Sequence, residues 1–169
     1  MTRIGFMSDL HLDSNQFGHF ELKTLKEVLK KERIDHLHIA GDLSNDLTNI
    51  SLPFIEDLMQ ELPTSFNLGN HDMLGLSEQE ISNYDFQVQQ FGQTKLVSFS
   101  GWYDYSFVPE KSKEEHLRTK NNFWFDRRLD RELDDPSLTA HSLLQLEKLL
   151  ASLDGPIIIA LHFVPHQDF

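Results

Sequence analysis

Cysteine is absent from the 169-residue sequence, which excludes disulfide scaffolds, thiolate zinc sites and thiol nucleophiles together. Any metal held here must be bound by nitrogen and oxygen. Long apolar runs are missing too: no stretch approaches the roughly 18 residues of a membrane span, and the N-terminal Met1-Thr2-Arg3-Ile4-Gly5-Phe6 lacks the apolar core of a cleavable leader. The expectation is a soluble, cytoplasmic protein that does not engage a membrane. Positive charge is scarce, with 15 Lys and Arg against 27 Asp and Glu and a formal net charge of −12. Such a surface repels a polyphosphate backbone, so long nucleic acid is an unfavourable partner and a small ligand a better one. What remains is globular in character, 39% hydrophobic with 13 Phe. The length suits one domain, expected over residues 1–169.

Short apolar runs alternate with amphipathic segments, the pattern of an α/β fold. Strands are expected at Ile4–Ser8, around Leu37 and Ile39, at Thr64–Leu68, at Leu96–Phe99 and at Ile157–Ala160. Helical spacing of Leu22, Leu25, Val28 and Leu29 predicts a helix from Phe20 to about Glu32, and Pro53 near a first turn opens a second with Ile55, Leu58, Met59 and Leu62 inward. Ser77-Glu78-Gln79-Glu80 has the form of a capping box and predicts a helix running to about Gln90. A last helix, opened by Ser137 or Thr139, carries a stripe from Leu143 to Leu153. Residues 101–136 differ, with aromatic and basic side chains interleaved, and read as an excursion from the core.

The chemistry is concentrated where strands stop. Asp9 and His11, then Asp42, then Asn70 and His71, then His162 each follow a predicted strand. In open α/β sheets, groups beyond the carboxyl ends of strands converge although they are distant in sequence. Asp9 and His11, two apart in an extended segment, point the same way and can share one ion. Gly41 and Gly69 directly precede candidate ligands, where glycine permits a tight turn.

In these residues the sequence resembles the calcineurin-like metallophosphoesterases: Asp9-x-His11, Gly41-Asp42, Gly69-Asn70-His71-Asp72 and His162 occur in the order and at spacings similar to that family's. The resemblance covers essentially the whole chain and implies an αββα sandwich of two facing sheets holding two divalent metals. By it, Asp42 bridges both ions, Asp9 and His11 bind the first, Asn70 and His162 bind the second, and His71 is catalytic. The implied activity is hydrolysis of a phosphoester, with a small phosphodiester or nucleotide as substrate. The chemistry suits these residue types: a carboxylate between two cations about 3.5–4 Å apart offsets their repulsion and lets a bridging hydroxide act as nucleophile. A histidine beside them can protonate a leaving alkoxide. Carboxylate, amide and imidazole donors favour Mn²⁺, with iron or Zn²⁺ as alternatives. The other reading is a binding or scaffold module that keeps the fold and has lost turnover.

Two features depart from the family. The resemblance implies a later Gly-His-x-His segment, and after His162 only His166 offers another imidazole, behind Pro165. The domain is therefore expected to be truncated at its C-terminus, with reduced metal affinity and activity and an exposed sheet edge. Some relatives also carry an acid three residues after the bridging Asp to orient the histidine; here Asn45 holds that position and Asp46 follows, and either could serve. Within the excursion, Trp102, Arg127 and Arg128 are candidate substrate contacts, since rings stack on bases and guanidinium forks hold phosphate. Alternatively Phe123-Trp124-Phe125 only anchors a surface segment and the charges of residues 126–131 pair among themselves. Asp13 and Asn15 either touch substrate or cap the first loop, and Asp72 is expected to hold its turn. His36 and His38, flanking Leu37, are expected as a semi-buried or solvated pair, not a second metal site.

Overall fold

The computed structural model describes residues 2–165. Two three-stranded sheets form the interior. In the first, β1 (Ile4–Met7), β2 (His36–Ala40) and β3 (Thr64–Asn67) lie side by side in that order, all parallel. In the second, β4 (Gln87–Phe91) and β5 (Thr94–Phe99) make an antiparallel hairpin, and β6 (Ile157–Leu161) adds parallel to β5. Among the described residues β4 and β6 are the two edges of this sheet. Helices α1 (His19–Lys31) and α2 (Leu52–Met59) connect the parallel strands, as parallel pairing requires. The shorter α3 (Glu78–Ser82) leads into the second sheet, and α4 (Lys113–Phe123) and α5 (Asp135–Ala151) lie between β5 and β6. The result is a two-sheet α/β architecture with helices flanking the sheets, as the resemblance implies.

Alternation along β2 divides the molecule. Leu37 and Ile39 face outward from the sheet sandwich and join Leu29 of α1 and Ile55 and Leu58 of α2 in one apolar core. The opposite face carries His36 and His38, which are 8% and 0% exposed. The pair is more deeply buried than the semi-buried or solvated pair expected: both rings are enclosed where the sheets face each other, and His36 meets Phe91 of β4 edge-on with centroids 4.8 Å apart. Their polarity is satisfied by a chain of bonds from β3. Ser65 Oγ lies 2.8 Å from both His36 Nε2 and His38 Nδ1, and His38 Nε2 lies 3.0 Å from Asn67 Oδ1. Because Asn67 Oδ1 can only accept, His38 donates from Nε2 and accepts at Nδ1 from the Ser65 hydroxyl, which in turn accepts from His36. Both imidazoles are neutral in this arrangement.

Burial pushes both histidines below their ordinary value of 6.5. The unfolded chain therefore takes up protons below about pH 6.5 that the folded chain refuses, and stability is at its full value above that pH and declines as pH falls. Between pH 7 and pH 5.5 thermal melts should show the wild type losing more Tm than a His36→Gln, His38→Gln double variant, whose slope is shallower by the histidines' share. Equal slopes in the two proteins would contradict this account.

Three elements differ from the sequence-based expectation. The Ser77–Glu80 capping box forms, with Glu80 N donating to Ser77 Oγ at 3.3 Å, but the helix it opens is one turn long. At Phe86 the backbone turns left-handed (φ 55°), and Asp85 accepts from Ser100 N at 2.7 Å, tying the chain to the end of β5 and starting β4 where a helix was expected. The last helix opens earlier than expected: Asp134 is its cap, accepting from Ser137 N at 3.0 Å, with Pro136 in the first turn. Its leucine stripe is only partly used: Leu146, Leu149, Leu150 and Leu153 are half-buried, Leu143 and Leu144 are about half exposed, and the fully buried leucine, Leu138, lies ahead of the stripe.

Candidate active site

The parallel strands deliver their loops to one place. The loop after β1 runs beside the loop after β2, with Asp9 N, His11 N and Leu12 N donating to Gly41 O, Asp42 O and Leu43 O at 3.0, 3.0 and 2.7 Å. The loop after β3 closes on the same segment through Asp72. Its fully buried carboxylate accepts from the backbone N–H groups of Asp42, Leu43, Ser44 and Gly69 at 2.7 to 3.1 Å. Burial raises Asp72 toward about 6, against the opposing pull of these donors. No side chain fits at Gly69, because a Cβ there would lie 2.2 Å from Asp42 Oδ1. That glycine is the condition for the two loops to touch.

Asp42 stands at the centre, 4% exposed, with each carboxylate oxygen facing a different set of groups. Oδ2 is 3.6 Å from His11 Nε2 and 3.9 Å from His71 Nε2; Oδ1 is 3.5 Å from His162 Nε2 and accepts from His71 N at 2.9 Å. Two groups of potential ligand atoms result, His11 with Asp42 and His71, and Asp9 with Asp42 and His162. Asp9 also lies 4.0 Å from His11 Nε2, so it borders both. Asn70 joins the second group, its Oδ1 3.2 Å from His162 Nε2. Every residue expected as a ligand or catalyst, Asp9, His11, Asp42, Asn70, His71 and His162, is thus in one cluster. His166 lies outside the described residues.

The donor set fits a cation. His162 Nδ1 is 2.9 Å from the Ala40 carbonyl and must donate to it, so Nε2 is the ring atom turned to Asn70 Oδ1 and Asp42 Oδ1, the orientation of a metal-ligating imidazole anchored through its other nitrogen. A carboxylate oxygen, an amide oxygen and an imidazole nitrogen converging in this way can share one cation. Asp9, His11 and Asp42 are held with left-handed backbone (φ 58°, 42° and 56°), a conformation that costs free energy and concentrates at functional sites.

His71 is held from two sides. Its Nδ1 lies 2.9 Å from Asn45 Oδ1, and Asn45 Nδ2 donates to Asp13 Oδ2 at 2.7 Å, so the amide cannot turn over and His71 must donate from Nδ1. The orienting residue is therefore Asn45; Asp46 instead accepts from Asn49 N and Nδ2 at the start of the helical turn Leu47–Ser51. Asp13, left open between substrate and loop, fastens Asn45, and these bonds hold its carboxyl below the usual range. Burial pushes His71 below its ordinary value, opposed by the Asp42 charge. Phe125 covers the imidazole, stacked at 3.7 Å and 17°.

The excursion contributes differently from expectation. Trp102 is 7% exposed, packed with Leu47, Leu68 and Met73, and its indole N–H donates to Asp135 Oδ1 at 2.8 Å, so its ring is core packing and not an open wall. Arg127 is exposed and turns back to the carbonyls of Asn122 and Trp124. Arg128 is exposed with its guanidinium 4.8 Å over the Phe125 ring. Two residues that sequence reasoning did not single out reach the cluster from this segment, Phe125 on His71 and Asp126 on Asn70. Nothing in the local sequence marks a contact across 56 positions.

A parallel sheet whose loops gather carboxylate, amide and imidazole donors about one buried Asp defines an α/β protein with a candidate centre for divalent metal. A family model described as calcineurin-like phosphoesterase matches residues 2–168, and the chain belongs to that family. It is by membership a phosphoester hydrolase of a kind that uses divalent cations. A crystal structure of phosphopantetheinyl hydrolase from Mycobacterium tuberculosis is similar in fold, with a TM-score of 0.65, 19% identity, and coverage of 96% of this chain and 68% of that one. A protein of unknown function from Aquifex aeolicus aligns at a TM-score of 0.33 and 16% identity, over 95% of this chain and 90% of that one. No curated protein matches. Among the described residues, no helix is long and apolar enough to cross a membrane.

Proposed function

We propose that the chain hydrolyses a small phosphodiester or nucleotide with the help of two divalent cations, Mn²⁺ first and iron or Zn²⁺ as alternatives. The observation that carries this is Asp42, whose two oxygens face two separate donor groups as a bridging carboxylate would. Asp9, His11 and Asp42 would hold one cation, and Asp42, Asn70 and His162 the other. When bound, the pair supplies an activated water and neutralises charge on the phosphoryl oxygens. The protein's own part is proton delivery and orientation. With Nδ1–H committed to Asn45, Nε2 is the atom that would carry the mobile proton of an imidazolium, and it faces Asp42, whose charge favours that form against the burial that opposes it. As the phosphorus–oxygen bond to the leaving group breaks, that proton passes to the departing alkoxide and the imidazole is left neutral. Of the expected substrate contacts we keep Arg128 for a phosphate or leaving group; its guanidinium lies over Phe125, which in turn covers His71, and this supports the assignment. A net charge of −12 favours a small anion drawn in by cations over a long polyanion.

Chelation tests the proposal. Protein treated with EDTA should lose hydrolysis of bis(p-nitrophenyl) phosphate and p-nitrophenyl phosphate, regain it on adding Mn²⁺, and bind about two equivalents by calorimetry. Turnover indifferent to chelation, or binding of a single equivalent, would refute the two-cation reading.

A further inference from the structure

The turn at Phe125–Arg128 reaches the candidate centre at a second point besides His71. Asn70 Nδ2 donates to Asp126 Oδ1 at 2.6 Å, and Asp126 is 5% exposed. An asparagine amide is nearly symmetric in shape and opposite in chemistry at its two ends: one orientation presents an acceptor oxygen, the other two N–H donors. Only the first can hold a cation. An ionised carboxylate accepts and cannot donate, so it takes the NH₂ end and leaves the oxygen directed at His162 Nε2, 3.2 Å away.

We infer that Asp126 is a positioning residue for Asn70, fixing the amide with its oxygen toward the metal centre; this rests on the two-cation reading above. The buried carboxylate behind the amide also draws its N–H groups and raises electron density on the oxygen, as partners of metal ligands commonly do. The same turn sets Phe125 on His71, so adjacent residues of the excursion steady a ligand and the proton donor together. The excursion is thereby part of the site's framework although it supplies none of the proposed ligands.

The test is a double-mutant cycle read by calorimetry with Mn²⁺ alone. Asp126→Ala should weaken the second equivalent 10- to 100-fold and leave the first within about twofold. In an Asn70→Ala background the same change should add nothing, because Asp126 acts only through Asn70. Additive losses, or an unchanged second Kd, would overturn the inference. Asp126→Asn, which keeps the shape and a weaker acceptor, should give an intermediate loss and covers the case in which the alanine variant does not fold. A metal-free readout separates this from the two-cation reading: the Asn70 side-chain NH₂ signals should be shifted downfield and protected from exchange, and both properties should vanish in the variants. If the wild type binds no second Mn²⁺ while these signals behave as expected, the two-cation reading fails and the positioning stands; unmoved signals refute the positioning.

Discussion

Asp42→Asn should lower kcat/KM for a chromogenic phosphodiester in Mn²⁺ by about 10³-fold, a loss near 4 kcal/mol of transition-state stabilisation. The change preserves size, and asparagine tolerates the left-handed backbone at this position, where φ is 56°. What changes is charge and polarity. One end of the new amide carries N–H donors where an oxygen faced either His11 at 3.6 Å or His162 at 3.5 Å, so at least one donor group is disrupted, and the shared negative charge is lost to both. The fold should persist, since His71 N can still find an acceptor and the four backbone bonds to Asp72 are untouched. Steady-state kinetics with a thermal melt on the same sample decide the matter: less than a tenfold loss at unchanged Tm would remove Asp42 from the centre.

The second large effect belongs to His71. His71→Ala should reduce kcat by about 10²- to 10⁴-fold for an alkyl phosphoester and far less for a p-nitrophenyl ester, whose leaving group needs no proton. KM and both Mn²⁺ dissociation constants should change little. The contrast matters because His71 Nε2 lies within reach of Asp42 and His11 and so has the position of a ligand as well as of an acid. A ligand would cost metal affinity and slow both substrates equally; a proton donor costs only the substrate that needs the proton. Equal losses on the two esters, accompanied by weakened metal binding, would assign His71 to the coordination sphere.

The gathering of the candidate ligands was legible because strands broadcast their ends. Ile39 gives way to Gly41-Asp42 and Phe66 to Gly69-Asn70-His71, and a parallel sheet carries such breaks to one edge whatever the separation along the chain. Contacts made sideways had no such signal. Asn45 and Asp46 are equivalent on paper, and only the three-dimensional path of the loop turns one to His71 and the other to Asn49. Asp126 looked like one charge in a mixed run, and its role depends on a turn that brings it to Asn70. The β4 segment Gln87-Val88-Gln89-Gln90-Phe91 has little apolar alternation because it is largely exposed, so a capping box just before it suggested continued helix. The depth of His36 and His38 was not legible either: polar side chains on alternate positions read as semi-buried or solvated, and only the partners Ser65 and Asn67 on the neighbouring strand let both rings be enclosed.

The left-handed backbone at Asp9, His11 and Asp42 also bears on how this site can change over generations. Aspartate, asparagine and histidine are, after glycine, the residues that most readily accept that conformation, and they are the side chains a hard or borderline cation accepts as ligands. At these three positions the demand of the chain and the demand of the ion select the same short alphabet. A random replacement there is penalised twice, while an exchange within the alphabet spares the fold and alters only the metal chemistry. On the two-cation reading, the backbone leaves drift at the centre few directions, most of which would tune which cation is held before they abolish holding one.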